Sequence, residues 1–80
     1  MLTILNKEVE AAIVFKSSLI IPVWIIIGSE KVKFEKVIYN WKEKKGDQKI
    51  IKFTLLSSKK IYELSFNTFT LKWYLEAIDE

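Results

Sequence analysis

In the second half of the chain, large apolar side chains fall on every second residue: Ile51, Phe53 and Leu55, then Tyr62, Leu64 and Phe66, then Leu71, Trp73 and Leu75. Polar residues such as Lys52, Thr54, Glu63, Ser65, Lys72 and Glu76 occupy positions on the other phase. A period of two is the signature of a strand with one face buried and one solvated. The runs are broken by Lys16-Ser17-Ser18, Gly28-Ser29-Glu30, a polar loop at Glu43–Gln48, Ser57–Lys60 and Asn67–Thr70. Short β-prone runs between regular turn signals predict an antiparallel meander.

Register arithmetic sharpens the prediction. A two-residue turn at Ser58-Lys59 pairs Ser57 with Lys60, Leu55 with Tyr62, Phe53 with Leu64 and Ile51 with Phe66. A four-residue loop at Asn67–Thr70 places Phe66 opposite Leu71, Leu64 opposite Trp73 and Tyr62 opposite Leu75. Closing the Gly46 loop with Trp41 opposite Ile51 brings Tyr39 to Phe53 and Val37 to Leu55. All three hairpins then share one apolar face, with Asn40 and Lys42 on the solvated one. A slip of one residue would turn such a set to water.

The first half is less regular. Val32 and Phe34 alternate in one phase and Val37, Tyr39 and Trp41 in the other, so the phase switches near Glu35-Lys36, as at a β-bulge. Leu19–Ile27 is apolar on both faces, and Glu8–Phe15 reads as a strand before it. The sum is one all-β domain over residues 1–80: six antiparallel strands curled into a small barrel or sandwich. Two segments carry an alternative, since Leu71, Tyr74, Leu75 and Ile78 also recur at helical spacing and Asn6–Lys16 also fits a short helix.

Half the residues are hydrophobic, and there is no cysteine and no histidine. Core packing must therefore hold the fold, without disulfides or the commonest zinc sites. The carboxylates form no acid/base constellation, no glycine-rich phosphate loop occurs, and no cofactor is expected. The chain is expected not to be an enzyme. No basic start followed by an apolar core marks the N-terminus, so a cytoplasmic location is expected.

Two features carry binding expectations. Leu19–Ile27 is too short for a membrane helix and is interrupted by Pro22, a residue of edge strands and bulges. An edge apolar on both faces needs a cover, which makes Leu19, Ile21, Val23, Trp24 and Ile25 the candidate protein interface, with a homodimer or another protein as partner. All 13 basic residues are lysines, and the net charge is only +3. Lys42, Lys44, Lys45 and Lys49 are the candidate nucleic-acid contacts, helped by the aromatics Trp24, Tyr74 and Phe69 that miss the core face. Without arginine such binding would be weak and independent of sequence.

Pro22-Val23-Trp24, Gly28 followed by Val32–Val37, Trp41, Tyr62-Glu63-Leu64 and Trp73–Glu76 together resemble a small bacterial family of uncharacterised β-meander domains. Members are also found fused or adjacent to Y-family DNA polymerases. The family usually carries arginine where this chain has lysine or an aliphatic residue, notably at Ile25–Ile27, a departure that weakens any transfer of nucleic-acid contacts. The resemblance implies an all-β fold with a strand at Leu71–Ile78, and a DNA-repair setting. The combined expectation is a non-catalytic interaction or assembly module. The alternative is a weak, sequence-independent nucleic-acid-binding domain.

Overall fold

Seven antiparallel strands make up the whole architecture in the computed structural model, which describes residues 1–80. They are β1 (Leu2–Lys16), β2 (Leu19–Ile27), β3 (Glu30–Lys33), β4 (Lys36–Lys45), β5 (Gln48–Ser57), β6 (Lys60–Asn67) and β7 (Lys72–Asp79). They form one sheet in the order β3-β2-β1-β7-β6-β5-β4, with β3 and β4 as its edges rather than closed into a barrel. Both segments with a helical alternative are strands. No helix is long and apolar enough to cross a membrane.

The sheet curls because β1 serves two neighbours in succession. Its first part, Leu2–Val9, pairs with β7, and Glu10–Lys16 pairs with β2. The fold has seven strands rather than six because the phase switch near Glu35-Lys36 marks a change of partner. Residues up to Lys33 pair with β2, Phe34 N–H still donates to the Val23 carbonyl, and Glu35 N–H donates to that of Leu56. From Lys36 the chain pairs with β5. Ser57, buried at the end of β5, donates from Oγ to the Lys33 carbonyl at 2.6 Å and ties the two arms together there.

The β5–β6 register is the one expected from the Ser58-Lys59 turn, from Ile51↔Phe66 to Ser57↔Lys60. From Asn67 to Leu64 of the β6–β7 ladder the expected face is kept but the register moves by two, giving Phe66↔Trp73 and Leu64↔Leu75, and an irregularity at Glu76 then pairs Glu63 with Ala77 and Tyr62 with Ile78. The cause is the loop. Asn67 Oδ1 accepts from the N–H groups of Phe69 and Thr70, the Leu71 N–H donates to the Asn67 carbonyl, and Leu71 is left exposed at positive φ.

The β4–β5 hairpin corrects the sequence reading more deeply. The Gly46 loop is a two-residue turn, with Lys45 opposite Gln48, and so Trp41 faces Lys52 instead of Ile51. A bulge at Ile38 restores Val37↔Leu55. Tyr39 and Trp41 therefore leave the core and stack on each other on the outer face, at 5.4 Å between ring centroids. Asn40 and Lys42 take the inner phase, opposite Phe53 and Ile51.

The core joins both arms of the sheet: Val9 and Ile25 pack with Phe53, Leu55, Tyr62, Leu64, Phe66, Trp73 and Leu75. The Trp73 ring lies 4.7 Å from Phe66 and 5.6 Å from Phe53, and Phe34 meets Tyr62 edge-on.

Hairpin turns of two residues need positive φ to match strand twist. Gly28 and Gly46 meet this at the first turn position without a side chain, whereas Ser17-Ser18 and Ser58-Lys59 adopt it at both positions with side chains. Left-handed backbone costs a non-glycine residue about 1 kcal/mol. Replacing Ser58-Lys59 by asparagine-glycine should therefore stabilise the domain by roughly 0.5–1 kcal/mol in urea unfolding, after glycine's larger unfolded-state entropy is subtracted. An unchanged or lower midpoint would contradict the turn geometry.

Candidate interaction site at the fork between two sheet edges

Past Phe34 the two arms diverge. Leu19–Pro22 of β2 pair only with β1, because β3 covers only Trp24–Ile27. Along its whole length β4 pairs only with β5. Two strand edges thus flank a gap with no strand in it. The gap is an apolar cleft of about 230 Å³ lined by Leu19, Ile20 and Ile21 on one side, Val37, Asn40 and Lys42 on the other, and floored by Ile51 and Phe53. It is smaller than the 300 Å³ or more typical of small-molecule sites and suits one or two apolar side chains.

The expected interface residues divide. Leu19 and Ile21 line this cleft. Val23 lies at the β1–β2 bulge, where its carbonyl meets Phe34. Trp24 is half-buried on the outer face beneath the Lys31 ammonium, 4.3 Å from the ring centroid. Ile25 is fully buried in the core and presents no surface.

The expected lysines divide as well. Lys42, Lys44 and Lys49 surround one concavity next to the cleft, together with Glu43, Ile51 and Thr68. Thr68 donates from both its backbone N–H and its Oγ1 to the Lys49 carbonyl, which holds the Asn67 loop against the Gly46 turn. Lys44 and Lys49 are direct cross-strand partners, and neither they nor Lys42 form an ion pair. Lys45, one residue on, faces the outer side.

On that outer side a broad polar trough is lined by Lys45, Gln48, Lys52, Asn67, Tyr74 and Glu76. Its charges neutralise one another. Lys52 Nζ sits 3.0 Å from Glu76 and 3.5 Å from Glu43, while Glu63, on the same face, pairs with nothing. Burial opposes the charged form of Lys52, but the two carboxylates outweigh it and hold its pKa above the ordinary 10.5. A raised lysine pKa adds stability that is complete below 10.5 and lost as pH rises through the folded value. Lys52→Met should cost about 1 kcal/mol at pH 7, because the pair is partly exposed, and the gap from the parent should close as pH rises through the raised folded value. A gap independent of pH in urea titrations would rule out the charge as its source.

No group of three or more acidic, cysteine or histidine side chains is placed to hold a metal ion. Phe69 stands exposed on the Asn67 loop, and Tyr74 lies in the trough. The stacked Tyr39–Trp41 pair is the exposed aromatic feature that alternation hid, since a bulge leaves no mark in composition. No protein-family model, curated protein or solved structure matches the chain.

Proposed function

We propose that this chain is a non-catalytic interaction module that engages a protein, or a second copy of itself, at the fork between β2 and β4. The observation that carries the reading is an apolar cleft lying between two strand edges that both lack a partner on the side facing it. Unpaired edges beside apolar surface are where polypeptides associate. Small volume and the absence of an acid/base or metal constellation argue for docking over turnover.

The second reading rests on Lys42, Lys44 and Lys49, three cations outside any ion pair, which would meet phosphates in the DNA-repair setting that the family resemblance implies.

Light-scattering mass after size exclusion, with and without a random single-stranded oligonucleotide, separates the readings. Self-association insensitive to salt and abolished by Leu19→Asp supports the module. Co-elution with the oligonucleotide at low salt, lost in Lys42→Glu/Lys44→Glu, would replace it with the nucleic-acid reading, because phosphate contacts weaken steeply with salt.

A further inference from the structure

We infer that the open edge of β4 takes up an extended acidic polypeptide as an additional strand, with an apolar side chain in the cleft and carboxylates beside Lys42, Lys44 and Lys49. The inference rests on the module reading and names the chemistry of the partner.

The backbone supplies the first argument. Lys36–Lys45 is a ten-residue strand hydrogen-bonded on one side only. Half of its N–H and C=O groups point to the open side, a template that an extended peptide satisfies and a nucleic acid does not. On the inner face of an added strand, successive side chains recur roughly every 6.6–6.8 Å. One such position meets the apolar floor of Ile51 and Phe53, and the next positions toward the Gly46 turn meet the lysines.

Charge supplies the second. Lys44 and Lys49 face each other across the β4–β5 ladder with Lys42 adjacent on the same face. Like charges directly opposite destabilise a sheet, so the isolated domain carries a repulsion that carboxylates would relieve. The one acid on β4, Glu43, reaches the rim of the same concavity, but its carboxylate is engaged with Lys52 on the outer side at 3.5 Å.

The same charges argue against a second copy on this edge. Two β4 strands paired antiparallel along their whole length would set Lys36 of each against Lys45 of the other, and a register slipped toward the Gly46 turn would set Lys42 against Lys44 and Glu43 against Glu43. Edge lysines are a common device against such pairing.

The test is selection of random decapeptides displayed on phage against the full chain, followed by anisotropy with the fluorescein-labelled winners and amide exchange by NMR. The expected winners alternate apolar and acidic residues and protect β4 amides. Their affinity should fall about tenfold or more in Lys42→Glu/Lys44→Glu, as two reversed ion pairs require, but not in the charge-matched Lys33→Glu/Lys59→Glu. Lys49→Glu keeps the result interpretable: it should raise the unfolding midpoint by removing the repulsion with Lys44, yet weaken peptide binding. Winners without acidic bias, or protection of β2 instead of β4, would overturn the acidic-strand inference and leave the module reading standing. Failure of any peptide to enrich would overturn the acidic-strand inference, while the module reading stands or falls on the light-scattering mass and its response to Leu19→Asp.

Discussion

Trp73→Ala should lower stability by about 3–5 kcal/mol, whereas Trp41→Ala should lower it by only about 1 kcal/mol. The two residues look alike in sequence, each a tryptophan flanked by polar neighbours in an alternating run. Trp73 is 7% exposed and lies between Phe66 and Phe53, so truncation removes a ring from the centre of the core and leaves a cavity. Trp41 is half-buried on the outer face, with Tyr39 stacked on it and Lys52 opposite. Its loss forfeits one aromatic contact and some shielding. In a domain of this size the first change lowers the melting temperature by roughly 15–25 °C and the second by about 5 °C. Thermal melts followed by far-ultraviolet circular dichroism would measure both. Equal losses would mean that Trp41 points inward and that the Gly46 turn does not set it opposite Lys52.

The second large effect concerns the way the two arms are joined. Ile25→Ala should cost about 3 kcal/mol, because Ile25 is wholly buried and β2 contributes it to a core drawn mainly from β5, β6 and β7. Ile21→Ala, four residues earlier in the same apolar run but beside the open cleft, should cost about 1 kcal/mol or less. Urea titration of both variants checks the contrast. An Ile25→Ala loss as small as that of Ile21→Ala would show that the β1–β3 arm does not pack on the rest of the sheet.

These contrasts also mark how far the sequence could be read. The β5–β6 hairpin was legible because Ser57-Ser58-Lys59-Lys60 allows a two-residue turn and apolar residues alternate without interruption on both sides. The β4–β5 register was not, because a turn one residue shorter or longer inverts every face, and nothing in Glu43–Gln48 declares the turn length. In β6–β7 the face of Trp73 and Leu75 is the expected one because the register there differs by two, whereas the irregularity at Glu76 had no signal in the sequence. The run Leu19–Ile27 signals burial on both sides but not which residues meet the core and which meet a cleft. Ile25 and Ile21 are indistinguishable until the partner strands are known. Lys42, Lys44 and Lys49 could be grouped from the positions of the turns alone, while the fork beside them arises from β2 and β4, whose divergence is a long-range property.

The pairing of β1 with β7 has a consequence for the order in which the molecule is made. Leu2 and Asp79 are ladder partners, as are Val9 and Trp73, so the middle of the sheet joins the two most distant parts of the sequence. During synthesis at about 5–20 residues per second, Leu2–Val9 waits for several seconds before its partner strand exists. The β1–β2 hairpin and the β4–β6 ribbon can form in that interval, but the seam between them cannot. An apolar strand bearing Leu2, Ile4 and Leu5 is then available to any other edge in the cell, and topologies dominated by such distant pairings fold slowly. Nascent chains halted before Trp73 should accordingly be the species most prone to aggregate or to recruit chaperones, and release of β7 should be the step that ends that exposure.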